Sequence, residues 1–212
     1  MAKISVFIID DHPVIRHGVS SVLKKKEYIK VIGEAKDAPT ALKKLKTLKP
    51  DVIILDITLE GLSGIDLIPR IKERVEGVAI VIYSMHLEPN QIHRAIKAGA
   101  KGYILKSDEI ADLTDATRRV CEGHMCLSRN LPPEILENLI SGKGDNGTLS
   151  VLTTREYEVA NLIVQGMNPD EIGAHLFISP KTVRVHRTNI MHKLNCNRVN
   201  ELLLSLAKHF PR

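Results

Sequence analysis

The feature that most constrains the fold is a change of hydrophobic period that repeats along residues 1–126. Five short strand-like runs alternate there with five amphipathic helical stretches. Three of the runs, at 4–9, 52–55 and 78–82, are apolar at almost every position instead of every second one. Strands of that composition have both faces covered, as in a parallel sheet with helices on each side. We therefore predict an α/β doubly wound, five-stranded parallel sheet.

The same alternation predicts where each element lies. Strands are expected at 4–9, 30–35, 51–56, 78–84 and 101–106. Helices are expected at 14–25, 38–48, 64–75, 88–98 and 108–122. Each strand is followed by one helix, and this repeat of strand and crossover helix is the unit from which a parallel sheet is built.

A second region, without strand periodicity, begins after residue 126. Pro132 and Pro133 can open a short helix over 134–140, and the Gly-rich stretch at 141–147 predicts a flexible joint. Beyond the joint the sequence reads as helices alone. The predicted parts are a domain at 1–126, a linker at 127–149 and a small all-α domain at 150–212.

The helices of the last part are predicted from signals at their first residues. These signals are Thr153 with Glu156, Asn168 with Glu171, and Ser179 before Pro180. The helices at 168–176 and 180–194 follow each other closely enough to form a helix-turn-helix. A basic outer face on the second of them suits a DNA groove, but its charge alone is equally compatible with a solvated surface helix.

Composition excludes several classes of protein. With 43% hydrophobic and 26% charged residues, the chain has a globular rather than a disordered composition. No apolar run approaches the ~18 residues of a membrane span, and no signal-peptide pattern opens the chain, so we expect a cytoplasmic protein without a membrane partner. Three cysteines offer no disulfide framework. The net charge of +5 does not by itself locate an anionic partner.

Polar residues end four of the predicted strands. Asp10 and Asp11 close the first, Asp56 the third, Ser84 the fourth and Lys106 the fifth. In a doubly wound sheet the carboxyl ends of the strands form the functional edge, so these side chains are expected to converge. Two adjacent carboxylates repel each other unless a cation lies between them. A hard divalent ion such as Mg²⁺, which prefers oxygen ligands, fits that requirement.

In order and spacing, these residues resemble the receiver domain of a two-component response regulator, which has a flavodoxin-like fold. The segment "GYILK", with Tyr103 and Lys106, completes the resemblance. It implies that Asp56 accepts a phosphoryl group from a phosphohistidine of a sensor histidine kinase. It also implies that Lys106 and Ser84 contact the phosphoryl oxygens, and that Tyr103 rotates as part of a switch.

The resemblance further implies a ligand set for Mg²⁺. The implied ligands are Asp10, Asp11, Asp56 and the backbone carbonyl of Thr58. One departure affects this site, because Leu59 and Glu60 stand where receivers commonly carry Met-Pro. An extra negative charge and a less rigid loop are expected to change the lifetime of the aspartyl phosphate and the choice of kinase.

The last part of the chain resembles the LuxR-type DNA-binding domain. The matching motifs are "LTTREYEV", "GMNPDEI", "LFISPKTVRVH" and "KLNCNRVNEL". Together with the receiver they indicate the NarL/FixJ class of response regulators. The resemblance implies base contacts by Arg184, Val185 and Thr188, and phosphate contacts by Lys181, Thr182, Arg187 and Lys193. Asp170 stands where the family often has Lys, so one backbone contact is expected to be missing.

The sequence therefore predicts a transcriptional regulator controlled by phosphorylation, not an enzyme. We expect a homodimer on promoter DNA, because one short helix contacts few base pairs. Leu202, Leu203 and Leu206 fit either a dimer interface or the core of their own domain. The alternatives are a phosphohydrolase using Asp56 as nucleophile, and an interaction module that is never phosphorylated.

Two other clusters are expected to have no chemical role. The stretch "CEGHMC" at 121–126 has two cysteines and a histidine, but a structural zinc site needs a fourth ligand. His12, beside the acidic pair, is expected at the surface. Neither cluster therefore enters the predicted site.

Overall fold

The computed structural model describes residues 3–59, 62–133, 135 and 148–207. The chain divides into two compact units, Met1–Gly144 and Asp145–Arg212. The first unit is an α/β sheet and the second is helical. In the part of the chain that is described, no helix combines the length and the apolar composition that a membrane span requires.

The first unit is a parallel sheet with helices on both faces. Its strands are β1 (Ile4–Ile9), β2 (Ile29–Ala35), β3 (Val52–Leu55), β4 (Ala79–Ser84), β5 (Gly102–Leu105) and β6 (Cys126–Leu127). Its helices are α1 (Pro13–Lys24), α2 (Ala38–Lys44), α3 (Gly64–Lys72), α4 (Pro89–Ala98) and α5 (Ile110–Cys121). The strand order is β2-β1-β3-β4-β5-β6, and all neighbouring strands are parallel. The predicted doubly wound fold is confirmed.

The sheet has one strand more than the five that the sequence predicts. Cys126 and Leu127 pair in parallel with Gly102 and Tyr103 at the edge of the sheet. A strand of two residues is too short to show a hydrophobic period, so a pattern search cannot find it. The added strand leaves the order of the other five unchanged.

The core lies on both faces of the sheet. Along β1, Phe7 and Ile9 belong to one hydrophobic cluster, which α2, α3 and α4 complete. Val6 and Ile8 belong to the other, which α1 and α5 complete. Every residue of β3 and β4 is buried. This burial on two sides is the physical reason for the continuous apolar runs.

Part of the predicted linker packs with the first unit. Leu131 and Ile135 are buried in the hydrophobic cluster beside α2, α3 and α4. Apart from Ile135, the predicted helix at 134–140 lies outside the described residues. The Gly-rich stretch at 141–147 also lies outside them.

The second unit contains a short 3-10 turn and four helices. After the turn at Thr148–Val151 come α6 (Thr154–Val164), α7 (Pro169–Leu176), α8 (Pro180–Lys193) and α9 (Val199–Ala207). Both predicted capping boxes are present, Thr153 with Glu156 before α6 and Asn168 with Glu171 before α7. The hydroxyl of Ser179 accepts a bond from Thr182 N at the start of α8. The predicted helix-turn-helix is therefore α7 and α8.

The helices of the second unit pack around one hydrophobic cluster. Ile172 from α7, with Val183 and Ile190 from α8, lies in its centre. On α9, Leu202 and Leu206 are buried in the same cluster, whereas Leu203 is 37% exposed. Two of the three leucines therefore serve the core of their own unit, and only the third reaches the surface.

The turn between α7 and α8 holds a residue in a strained conformation. Phe177 has a φ of 54°, in the left-handed region that favours glycine. Its side chain is 94% exposed. Because the sequence has no glycine at this point, the residue types do not predict the tight turn.

Candidate functional site

Three of the predicted site residues meet at the carboxyl edge of the sheet. Lys106, after β5, places its Nζ atom 2.6 Å from Asp56 Oδ2 and 2.9 Å from Asp10 Oδ2. The three side chains are between 3% and 5% exposed. Residues from the ends of three different strands thus form one buried charge cluster.

Backbone contacts hold this edge in place. Asp56 N donates to Ile9 O at 2.9 Å, and Lys106 N donates to Ser84 O at 2.8 Å, so the ladder bonds continue past the strand ends. Gly64, the first residue of α3, packs directly on the loop after β3. A Cβ atom there would lie 1.9 Å from the carbonyl oxygen of Asp56. Glycine is therefore required for α3 to support the position of Asp56.

The cluster holds more negative than positive charge. Burial raises the pKa of Asp56 and outweighs the opposing attraction of Lys106, while the nearby charge of Asp10 raises it further. Burial disfavours the ammonium of Lys106, but the attraction of Asp56 and the hydrogen bonds to both carboxylates raise the pKa of Lys106. Lys106 is therefore cationic and is shared by two carboxylates, which leaves Asp56 less acidic than a surface aspartate.

Asp11 and His12 extend the cluster beyond the three residues that Lys106 joins. His12 Nδ1 lies 2.6 Å from Asp11 Oδ1 and 3.5 Å from Asp10 Oδ1. The Oδ1 atom of Asp11 is buried, yet no described residue gives it a hydrogen bond of suitable geometry. One ligand atom from each of Asp10, Asp11, His12 and Asp56 lies within 4.8 Å of the others. These residues fit a divalent cation, since an orphaned carboxylate oxygen and clustered carboxylates are what such an ion binds.

Thr58 lies in the same loop as Asp56. Its N–H donates to Asp56 Oδ1 at 3.4 Å, and its side chain is exposed. Leu59, one of the two residues that depart from the receiver pattern, is 7% exposed. Glu60, the other, lies outside the described residues.

The two predicted switch residues, Ser84 and Tyr103, both contact the backbone of His86. Ser84 is fully buried and its hydroxyl accepts a bond of 3.3 Å from His86 N. Tyr103 is also fully buried, and its hydroxyl donates to His86 O at 2.9 Å. Burial raises the pKa of Tyr103, so its hydroxyl stays protonated and able to donate. The loop after β4 is therefore attached to both switch side chains.

His86 is a residue that sequence reasoning missed. Its Nε2 atom lies 2.9 Å from Thr58 Oγ1, and its Nδ1 atom lies 3.3 Å from Glu88 Oε2. The ring therefore joins the loop after β4 to the loop after β3. No local pattern could have identified it, because Thr58 and His86 are 28 positions apart.

Arg16 was also missed, because its contact is with a backbone atom of Asp10, which no pattern of residue types reveals. Its Nη1 atom donates to the carbonyl oxygen of Asp10 at 2.6 Å, and its side chain is 14% exposed. The contact joins α1 to the end of β1 and helps to hold the backbone of Asp10. By contrast, among the described residues no metal-ligating group includes Cys121, His124 or Cys126.

In the second unit the predicted contact residues lie on α8. Lys181, Arg184, Val185 and Thr188 are exposed, and Thr182 and Arg187 are half-buried. The hydroxyl groups of both threonines already form hydrogen bonds. That of Thr182 contacts the hydroxyl of Ser179, and that of Thr188 donates to Arg184 O. Lys181, Arg184 and Arg187 form no ion pair with any residue that the structure describes. The outer face of α8 therefore presents unpaired positive charge.

Lys193 differs from the other basic residues of α8. Its Nζ atom lies 2.6 Å from Glu156 Oε2, in an ion pair whose carboxylate is 5% exposed. The same carboxylate oxygen accepts a bond of 2.7 Å from Thr153 N. Lys193 therefore attaches the end of α8 to the start of α6. On α7, Asp170 lies in the first turn, where its N–H donates to Asn168 Oδ1.

Comparison with known proteins identifies both units. Residues 6–118 match the family model of the response regulator receiver domain, and residues 150–205 match that of bacterial regulatory proteins of the luxR family. The chain is a response regulator of the NarL/FixJ class. This confirms the family predicted from the sequence motifs.

Curated relatives of this response regulator match nearly its whole length. It is 35% identical over 193 residues to the transcriptional regulatory protein LiaR of Bacillus subtilis, covering 91% of both chains. It is 31% identical over 207 residues to the response regulator protein VraR of Staphylococcus epidermidis, covering 97% of both. The order of the two units is therefore shared with these relatives.

Solved structures of response regulators also resemble this chain, one over nearly its whole length and one over two thirds of it. RcsB of Salmonella enterica serovar Typhimurium, bound to the promoter P1flhDC in the presence of the phosphomimetic BeF3−, is 27% identical. The match has a TM-score of 0.60 and covers 97% of this chain and 99% of RcsB. A LuxR-family response regulator from Aurantimonas matches with a TM-score of 0.59 and 27% identity, covering 67% of this chain and 99% of that one.

Proposed function

We propose that this response regulator accepts a phosphoryl group on Asp56 from a sensor histidine kinase, and that phosphorylation controls the binding of α8 to promoter DNA. The observation that carries the proposal is the contact of a single buried ammonium, Lys106, with both Asp10 and Asp56. A buried carboxylate with a raised pKa beside a fixed cation is a candidate nucleophile for phosphoryl transfer.

Asp56 supplies the attacking oxygen. Its Oδ2 atom is paired with Lys106, whereas Oδ1 accepts a long bond of 3.4 Å from Thr58 N. Oδ1 is therefore the freer of the two oxygens. Its attack on the phosphorus of a phosphohistidine forms an O–P bond while the P–N bond breaks, and the imidazole of the kinase leaves.

The phosphoryl group adds negative charge that Lys106 alone does not balance. A phosphoryl group carries about −1.5 to −2 charges at neutral pH, and Lys106 is already shared by two carboxylates. The residues that would hold Mg²⁺ are Asp10, Asp11, Asp56 and the backbone carbonyl of Thr58. When bound, the ion supplies the remaining positive charge beside the phosphoryl oxygens.

Ser84 and Tyr103 transmit the new charge to the loop after β4. The hydroxyl of Ser84, which accepts a bond from His86 N, can instead donate to a phosphoryl oxygen and draw the loop inward. Tyr103 is bonded to His86 O, so its ring moves when the loop moves. The switch thus converts a local charge into a change at the surface around α4 and β5.

We infer that α8 enters the major groove of promoter DNA. The proposed base contacts are Arg184, Val185 and Thr188, and the proposed phosphate contacts are Lys181, Thr182 and Arg187. Lys193, which the sequence resemblance places on a phosphate, is paired with Glu156, and we assign it mainly to the support of α8. A homodimer doubles the number of base pairs that are read. A solved structure of RcsB dimers bound to DNA, 26% identical to this chain with a TM-score of 0.58, supports a dimeric mode.

We assign a separate role to each of the two domains, in agreement with the two family matches. We assign residues 1–126 to the phosphoacceptor domain, 127–149 to the linker and 150–212 to the DNA-binding domain, acting in the cytoplasm. The matches at 6–118 and 150–205 fall inside the two proposed domains. We further propose that the protein is not an enzyme with its own substrate, since its carboxylate holds the phosphoryl group as a signal and does not pass it on to a product.

Labelling with acetyl phosphate and Mg²⁺ tests the proposal. The full chain should take up one phosphoryl group, and Asp56→Asn should abolish uptake because the amide is not a nucleophile. Asp51→Asn, at the opposite end of β3, is the matched control and should label normally. Label persisting in Asp56→Asn would contradict the assignment.

The same preparations test the output. DNA fragments selected from a random pool by the phosphorylated protein should contain paired half-sites, as expected for a dimer. Selection should be weaker for Asp56→Asn. Steady turnover of a phosphate ester would instead support a phosphohydrolase.

A further inference from the structure

The side chain of Asp108 takes the place of a strand partner at the end of β5. β6, the neighbour on the outer side of β5, ends at Leu127, which pairs with Tyr103. The N–H of Lys106 donates to β4 on the inner side. The N–H of Leu105 lies beyond the end of β6 and donates to Asp108 Oδ2 at 3.0 Å. The carboxylate of Asp108 therefore satisfies a backbone donor that the sheet leaves without a partner.

Asp108 also closes the turn that carries Lys106. Its own N–H donates to Leu105 O at 3.0 Å, so residues 105–108 form a turn with Lys106 at the second position. The two bonds between Leu105 and Asp108, one from the backbone and one from the side chain, hold the turn from both sides. The backbone of Lys106 and the carboxylate of Asp108 are therefore expected to move together.

The second carboxylate oxygen of Asp108 binds the linker. Its Oδ1 atom accepts a bond of 2.7 Å from Asn130 Nδ2, a length typical of hydrogen bonds to charged groups. Asn130 N donates to Ser128 Oγ at 3.1 Å, and Ser128 N donates to Tyr103 O at 2.8 Å. Ser128 is buried. The start of the linker is thus bonded both to the turn that carries Lys106 and to the switch residue Tyr103.

Apolar contacts hold the linker just beyond these bonds. Leu131 and Ile135 are buried in the same hydrophobic cluster as Tyr103. The described part of the linker therefore packs as part of the first unit. Since the chain runs on from here to the second unit, a change in the position of Asn130 acts on the segment that joins the two units.

We propose that Asp108 is a positioning residue that passes the phosphorylation of Asp56 on to the linker through Asn130. A phosphoryl group presents new anionic oxygens to Lys106, whose partners are now the carboxylates of Asp10 and Asp56. When Lys106 adjusts to them, the turn moves with it and Asp108 draws on Asn130. The inference rests on the proposed function and names the contact by which the signal enters the linker.

Exchange of the two side chains tests this contact in the full chain. Asn130→Asp places two carboxylates against each other and breaks the bond. The double variant with Asp108→Asn and Asn130→Asp restores it with donor and acceptor exchanged, and the new amide oxygen at position 108 can still accept from Leu105 N. A role in stability alone would not require that the pair transmit phosphorylation.

The measurement is the ratio of DNA affinities with and without acetyl phosphate and Mg²⁺. Fluorescence anisotropy on a selected DNA site gives both affinities. Coupling between two sites commonly changes affinity by about 5–150-fold, so the ratio in Asn130→Asp should move toward one by about fivefold or more. The double variant should recover the ratio of the unaltered protein. All three proteins should take up the phosphoryl group to the same extent, because the Lys106 side chain keeps its partners.

Two further variants serve as controls. Asn130→Ala removes the donor without adding a charge and should show the same loss of response. Arg129→Ala changes the neighbouring residue, whose side chain is 87% exposed, and should leave the ratio unchanged. Urea denaturation of each variant shows whether it is folded.

Hydrogen exchange gives a readout that does not depend on DNA. Phosphorylation should change the exchange of backbone amides in residues 126–133 of the unaltered protein and of the double variant. The same amides should not respond in Asn130→Asp. No change in the unaltered protein would show that the signal does not enter the linker here and would overturn the inference.

The outcomes separate this inference from the function on which it rests. An unaltered protein that fails to label, or whose DNA affinity ignores phosphorylation, would remove the proposed function. A normal response in Asn130→Asp and Asn130→Ala, or no recovery in the folded double variant, would overturn the role of Asp108 and leave that function intact. Loss of labelling in Asn130→Asp would also contradict the inference, because the contact would then serve the phosphorylation site and not the linker.

Discussion

The two units of this response regulator place their charged side chains in opposite surroundings. In the first unit Asp10, Asp56 and Lys106 are at most 5% exposed and contact one another. In the second unit Lys181 and Arg184 are exposed, and neither has an ion pair among the residues described. At the carboxyl edge of the sheet the interacting charges are buried, whereas on α8 the charges available to an outside partner are left in water.

This contrast reflects two kinds of chemistry. Burial strengthens the interaction between charges, which suits a site that must polarise a carboxylate and hold a phosphoryl group. Exposure keeps basic side chains solvated and free until they meet an anionic polymer. The two kinds of charge also differ in what their removal costs. Loss of a buried partner destabilises the fold, whereas loss of an exposed charge mainly weakens binding.

The largest expected effect is that of Lys106→Met. The substitution leaves Asp10 and Asp56 buried without their shared cation, and removal of one partner from a buried ion pair costs roughly 3–5 kcal/mol. We expect a loss of about 3 kcal/mol in the free energy of unfolding at pH 7 without divalent ions. Urea denaturation measures it.

Lys101→Met is the control for that substitution. Lys101 is exposed at the other end of β5, and a surface change of this kind alters stability by about 0.5 kcal/mol or less. Equal stability of the Lys106 and Lys101 variants would break the contrast, because it would show that the carboxylates do not depend on a buried cation.

Arg184→Ala should have its effect on binding instead. If Arg184 reads a base, the affinity for a selected DNA site should fall by about 1–3 kcal/mol. The free energy of unfolding should change by about 0.5 kcal/mol or less, since the side chain is exposed. Fluorescence anisotropy with a labelled DNA fragment measures the affinity.

The control for Arg184 is Asn189→Ala on the same helix. Asn189 is exposed and lies outside the proposed contacts, so its removal should leave the affinity unchanged. If Arg184→Ala leaves the affinity for the DNA site unchanged, another residue of α8 must read that base.

Lys193→Met probes the exception to the contrast, a basic residue of α8 that supports the fold. Hydrogen bonds to charged groups contribute about 1.5–3 kcal/mol, and the partial exposure of Lys193 reduces this, so we expect a loss of about 1 kcal/mol at pH 7. Lys181→Met, at the exposed start of the same helix, should leave the free energy of unfolding nearly unchanged. A loss of DNA affinity without a loss of stability would return Lys193 to the phosphate contacts.

The pH dependence gives this prediction a direction. Burial tends to raise the pKa of Glu156, but the bonds from Lys193 and Thr153 outweigh it, so the folded pKa is lowered. A lowered folded pKa means that the stabilisation is present above the pKa of an unfolded glutamate, about 4.3. It is lost as pH falls through the lower folded pKa. The stability difference between Lys193→Met and the unaltered protein should therefore shrink in acid.

Local signals predicted most of the fold. The strand β1 has the predicted bounds, and α8 differs from its prediction by one residue. Both predictions are accurate because hydrophobic periodicity and helix capping depend on residues that are only a few positions apart. The strand β6 was missed because two residues are too few to show a hydrophobic period. The turn at Phe177 was missed because phenylalanine rarely adopts a left-handed backbone conformation.

The sequence by itself determined the order of the elements, the helix caps and the residue types at the carboxyl edge. Only the tertiary structure decided that Lys106 is shared by two carboxylates, that His86 contacts Thr58 and that Lys193 supports α6 through Glu156. These contacts join residues that are at least 28 positions apart, and Lys106 and Asp10 are farthest apart in the chain. The physical reason is that period and capping are set by neighbours in the chain, whereas the partner of a charge is set by which strands and helices pack together.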